Sequence, residues 1–102
     1  MAKRVIWSNK ADRIFNKILE YFIERNGSKA YSRKLNQEIQ SLVSSIAKQP
    51  CIGLKTNLKD VRVFIRGNYR IFYRIEDDKI IILLVWDNRQ SQETINEDLL
   101  IP

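Results

Sequence analysis

The sequence predicts an α+β fold: an N-terminal strand, then an antiparallel helical hairpin packed on one face of a mostly antiparallel four-stranded sheet. Three observations lead there. Two apolar stripes at three- and four-residue spacing succeed one another before Pro50, broken only at Asn26-Gly27. Three runs rich in β-branched and aromatic residues then fill 61–86, divided by the turn pairs Gly67-Asn68 and Asp77-Asp78. A fourth such run, Arg4 to Trp7, precedes the helices. At 102 residues the chain is long enough for one core and not for two, so 1–102 is expected to be a single domain. Its parts are the helical hairpin at about 9–49, a β-meander at about 61–87 and an acidic tail at 91–102.

Ser8 or Asn9 can cap a first helix from Lys10, because either side-chain oxygen can accept an orphan N–H of the first turn. Ala11, Ile14, Phe15, Ile18, Leu19 and Phe22 form its stripe, and Gly27 ends it with a left-handed cap. Ser28 is the expected second cap, followed by a stripe of Tyr31, Leu35, Ile39, Leu42, Val43 and Ile46. Pro50 stops that helix, since proline removes a donor and disfavours helix in the residue before it. So short a connection lays the helices antiparallel, with both stripes toward a common sheet. Gln49 to Asp60, with Pro50, Gly53 and Asn57, has no period and is expected to be a loop carrying Lys55 and Lys59.

Strands are expected at Val61–Arg66, Tyr69–Glu76 and Lys79–Trp86. A three-residue turn, Gly67 to Tyr69, would align Val61, Val63, Ile65, Ile71, Tyr73 and Ile75 on the core face. Arg62, Phe64, Arg66, Arg70, Phe72 and Arg74 would then share the opposite one. A two-residue turn would mix the sets, so the sorted register is preferred. The last strand would add Ile80, Ile82, Leu84 and Trp86 to the core and Ile81, Leu83 and Val85 to the arginine face. Apolar on both sides, it is expected to be central. The tail, with Ile95, Leu99, Leu100 and Ile101, is either a short helix over the arginine face or a frayed end.

With no histidine, Ser-His-Asp, Cys-His and histidine–metal chemistry are excluded, and acid–base work falls to Tyr, Lys, Arg or carboxylates. Cys51 alone makes neither an intramolecular disulfide nor a thiolate metal site. Asp77-Asp78 suits a hairpin turn better than a metal, and no cofactor is expected. The longest apolar run, Ile80 to Trp86, is far short of the roughly 20 residues of a membrane helix. MAKRVIWSNK lacks the apolar stretch of a secretory signal, so the expected location is cytoplasmic, with no membrane partner. The net charge of +6 is uneven, because the tail holds Glu93, Glu97 and Asp98 and no base. Such asymmetry suits a polyanion or an acidic protein on the basic side, or serves solubility alone.

The order strand, helical hairpin and meander, with the run YRIFYRIEDDKIIILLVWDNRQ, resembles the RelE/ParE superfamily of bacterial type II toxin–antitoxin toxins. The likeness covers nearly the whole chain. It implies a toxin held by a cognate antitoxin and acting in one of two ways. RelE-like members cut mRNA on the ribosome with basic residues of the sheet; ParE-like members inhibit DNA gyrase. The resemblance puts Arg70 at the position of a catalytic or phosphate-binding arginine. Arg62 and Arg66 fall where RelE-like members have strand lysines, Phe64 interrupts that series, and Arg89 lies one residue from a C-terminal catalytic arginine. RelE-like enzymes carry Tyr or His beyond that arginine, whereas Ser91 to Pro102 has neither.

If the chain is a nuclease, Arg62, Arg70 and Arg89 are its catalytic candidates, stabilising charge on the scissile phosphate without a metal. Tyr69 and Tyr73 are the nearest candidates for a base, Tyr73 being expected to face the core. Arg66, Arg74, Phe64, Phe72 and Leu83 equally suit an antitoxin segment that buries the apolar residues and pairs acids with the arginines. A basic RNA-binding module without toxicity is the third expectation.

Overall fold

Ser8 starts the first helix by accepting the Ala11 N–H at 3.0 Å, and the helix leads out of a strand that positions it. In a computed structural model, which describes residues 2–88, the order is β1 (Arg4–Trp7), α1 (Asn9–Asn26), α2 (Ala30–Lys48), β2 (Leu54–Lys55), β3 (Val61–Arg66), β4 (Tyr69–Ile75) and β5 (Lys79–Asp87). One turn of 3-10 helix, Pro50–Ile52, separates α2 from β2. Gly27 closes α1 at φ 64°, its N–H donating to the Ile23 carbonyl. The second helix begins later than expected: Lys29 is its cap residue and makes no side-chain bond, while the Ser28 hydroxyl accepts the Ala30 N–H. No helix among the described residues is long and apolar enough to cross a membrane.

The sheet has five strands in the order β1-β5-β4-β3-β2, against the expected four. The added strand, β2, lies inside the segment expected to be a loop. At two residues it is too short to show a period, and it pairs antiparallel with β3. β1 pairs parallel with β5, and the other contacts are antiparallel. β5 runs between β1 and β4 and is buried on both sides, as its composition predicts.

The hairpin register differs from the sorted one. Arg62 pairs with Tyr73, Phe64 with Ile71 and Arg66 with Tyr69, leaving Gly67-Asn68 as a two-residue turn. Arg62, Phe64 and Arg66 therefore share the helix-side face with Tyr69, Ile71 and Tyr73. Val61, Val63 and Ile65 join Arg70, Phe72 and Arg74 on the other. Gly67, at φ 58°, occupies the first central position, where a type II′ hairpin turn calls for glycine.

A bulge corrects the second half of β5. Phe72 pairs with Leu84 but Tyr73 pairs with Ile82, so Leu83 is an extra residue and the alternation shifts beyond it. Val85 thus joins Ile80 and Ile82 in the helix-side core, while Leu84 and Trp86 go to the other face with Ile81 and Leu83.

The main core lies between helices and sheet. It includes Phe15, Ile18 and Phe22 of α1, Leu35, Ile39 and Ile46 of α2, and Ile71, Tyr73, Ile80 and Ile82 of the sheet. Each large side chain buried there contributes roughly 1.5–3 kcal/mol. Tyr31, expected in the α2 stripe, lies at the rim at 36% exposure, whereas Ser32 is buried and donates to the Leu19 carbonyl at 2.7 Å, tying α2 to α1. Trp7 stacks on Phe15, ring centroids 5.5 Å apart, fastening β1 to α1. Across the sheet a second cluster gathers Val61, Phe72, Ile81, Leu83 and Leu84.

Candidate functional site

The two-residue turn distributes the arginines of the meander over both faces of the sheet. Arg62 leaves β3 on the helix side and is half-buried against the segment after α2. Its guanidinium donates to the Gly53 carbonyl at 2.8 Å and the Cys51 carbonyl at 3.4 Å. Beside it Tyr73, fully buried, donates its hydroxyl proton to the Pro50 carbonyl at 2.6 Å and accepts the Gly53 N–H at 3.0 Å. Arg62 and Tyr73 together hold 50–53 on the sheet. Burial raises the Tyr73 pKa, opposed by the Gly53 hydrogen bond and the Arg62 charge. The approach is so close that a Cβ on Gly53 would lie 2.7 Å from the Tyr73 oxygen and 2.9 Å from the Val63 carbonyl oxygen.

Farther along β3, Arg66 is exposed, its guanidinium 5.8 Å from the centre of the Phe64 ring, a cation–π contact. Phe64 is half-buried against the main core.

The opposite face carries Arg70 and Arg74 from β4. Arg74 is engaged, with Glu76 oxygen 3.0 Å from its guanidinium, and Glu76 also faces Lys79 at 3.5 Å. Arg70 is different. Its cross-strand neighbours are Ile65 and Trp86, its Nε is buried, and among the described residues that nitrogen has no hydrogen-bond partner. Leaving such a donor unmet costs about 1–3 kcal/mol or more for a charged group. Ile65 is 47% exposed beside it, while Phe72 and Leu83 are buried in the second cluster. The arrangement suits an acidic group arriving with an apolar neighbour.

Of the catalytic candidates, Arg62 and Arg70 are thus on opposite faces, and Arg89 lies outside the described residues, as does the tail 91–102. Of the binding candidates, Phe72, Leu83 and Arg74 share a face with Arg70, whereas Phe64 and Arg66 share one with Arg62. Tyr73 faces the core, as expected from the sequence, and its hydroxyl is occupied there.

Two features escaped the sequence reading. One is the Tyr73–Gly53 lock, whose only trace is a glycine just after Pro50 opposite a strand tyrosine. The other is a cleft of about 550 Å³ at the β2–β3 end, lined by Lys55, Lys59, Asp60, Arg62 and Ile75 among others. Its signal was the pair of lysines in an apparent loop.

A family model described as "ParE toxin of type II toxin-antitoxin system, parDE" matches residues 5–92. Among solved structures, the chain is similar to one of the chromosomal ParDE toxin–antitoxin system from P. aeruginosa. The TM-score is 0.69 at 19% identity, over 84% of this chain and 96% of that one. It is also similar to the RelBE2 toxin–antitoxin complex from Mycobacterium tuberculosis, with a TM-score of 0.62 at 23% identity, over 85% of this chain and 99% of that one. No curated protein sequence matches significantly.

Proposed function

The chain belongs to the ParE toxin family of type II toxin–antitoxin systems, and from that premise we propose that it arrests growth by binding a protein target, DNA gyrase, rather than by cutting mRNA. The observation that carries this reading is the separation of Arg62 and Arg70 on opposite faces of the β3–β4 hairpin. A phosphate held by one is out of reach of the other, so these two do not converge on one scissile bond as charge stabilisation requires. Tyr73, the nearest base candidate, is moreover occupied in holding 50–53.

The same chemistry supports a cognate antitoxin as partner. Ile65 and Arg70 offer an exposed apolar side chain beside a guanidinium with an unmet buried donor. An antitoxin segment bringing a carboxylate and an apolar side chain to this cross-strand pair would meet both.

Two parallel assays test the target. Purified chain is added to a gyrase supercoiling reaction and to a translation extract in which message integrity is followed. Supercoiling is expected to fall while message stays whole. Ribosome-dependent cuts that disappear with Arg70→Ala would overturn the proposal in favour of a nuclease, and unchanged supercoiling would overturn it outright.

A further inference from the structure

The cleft at the β2–β3 end lies beyond the paired strands, and Lys55 and Arg62 reach it from cross-strand positions. Directly opposed like charges destabilise a strand pair unless a counter-charge sits between them. Lys59 lines the same cleft, and Asp60 is the one carboxylate among its lining residues. Among the described residues no carboxylate comes within 4.0 Å of Lys55, Lys59 or Arg62. Arg62 spends one nitrogen on the Gly53 and Cys51 carbonyls and retains further donors.

The walls are already formed. Thr56 donates its hydroxyl to the Val61 carbonyl at 2.9 Å and accepts the Leu58 N–H at 3.1 Å. The Ile75 N–H donates to the Asp60 carbonyl at 2.8 Å, although Asp60 itself is held at φ 61°, a left-handed conformation aspartate tolerates. Leu58, Val61 and Ile75 supply apolar wall beside the cations. A volume of about 550 Å³ lies within the range of small-molecule sites.

We propose that this cleft binds a phosphate monoester of nucleotide size, its dianionic phosphate between Lys55, Lys59 and Arg62 and its organic part against Leu58, Val61 and Ile75. Two negative charges on one small group fit three cations lining one cleft better than a single carboxylate does. The cleft is separate from the Ile65–Arg70 surface, because it lies at the opposite end of β3.

The test is calorimetric titration of the full chain with a nucleoside monophosphate, with inorganic phosphate, and with a short oligonucleotide lacking terminal phosphates, all at matched ionic strength. The monophosphate is expected to bind saturably at one site per chain, more tightly than inorganic phosphate and the oligonucleotide. Lys55→Gln and Lys59→Gln, both at exposed positions, are each expected to weaken it about tenfold, while Lys17→Gln on α1 leaves it unchanged. Equal weakening by Lys17→Gln would mean diffuse charge attraction and would overturn the site. So would an absence of saturable binding. An oligonucleotide that competes better than the monophosphate would overturn the monoester assignment.

Discussion

Tyr73 shows how one hydroxyl can fix the segment after a helix. It donates a hydrogen bond to the Pro50 carbonyl and accepts one from the Gly53 N–H, and its side chain is fully buried. Tyr73→Phe leaves a buried donor and acceptor without this partner, an expected loss of about 1–3 kcal/mol at neutral pH, measured by urea unfolding. The pH dependence has a definite sign. Burial raises this pKa above its usual 10.0 in the folded chain, so on alkalinisation the unfolded chain loses the proton first. The stabilisation is fully present below about pH 10 and is lost as pH rises through the folded value. The gap between wild type and Tyr73→Phe should therefore shrink above pH 10. A gap that stays constant through that range would rule out this role. The inward placement of Tyr73 was legible from strand alternation, but its two partners were not, because they come from a segment without periodicity.

At the level of elements, both helices, the strand before them and the three strands of the meander were legible, because 3.6- and 2-residue periods report which side of an element is buried. Register was not. Sorting apolar from basic residues assumes one dry face, yet β5 is apolar on both sides and the sheet carries a cluster on each. Arg62 could sit on the helix side because backbone carbonyls of 51 and 53 meet its guanidinium. With the hydrophobic preference divided, turn geometry decided, through Gly67. A Cβ there meets nothing within 4 Å, so the cost of Gly67→Ala is conformational, about 1 kcal/mol or more from the positive φ the turn requires. Gly67→Asn is expected to lose less, since asparagine follows glycine among the residues found at the positive-φ positions of such hairpin turns. Thermal unfolding of the two variants checks the order, and equal losses would show that the turn does not set the register. The bulge at Leu83 was invisible for a related reason: in a run of Ile, Leu and Val, moving one residue between faces changes no hydrophobic pattern.

Across the whole molecule, the split register sends the arginines of one hairpin to opposite faces of the sheet. The helix-side arginine, Arg62, holds the carbonyls of 51 and 53 with one nitrogen and lines the β2–β3 cleft. Arg70, on the other face, has a buried Nε without a partner among the described residues. If the resemblance alone had set the roles, both would act on the same phosphate and both alanine variants would fail alike. The geometry predicts that they separate. Arg62→Ala should lower unfolding stability by about 1–3 kcal/mol, from the loss of charge-assisted bonds to two carbonyls, and leave antitoxin affinity near wild type once the chain is folded. Arg70→Ala should not lower stability, because it removes a buried donor that no described residue satisfies. It should weaken binding of the cognate antitoxin about tenfold or more, since a charge-assisted hydrogen bond is worth about 1.5–3 kcal/mol and 1.4 kcal/mol is a factor of ten. Urea unfolding and calorimetric titration of the same preparations give both quantities. Should Arg62→Ala prove the weaker binder of antitoxin, or Arg70→Ala the less stable chain, this assignment of the two arginines would be wrong.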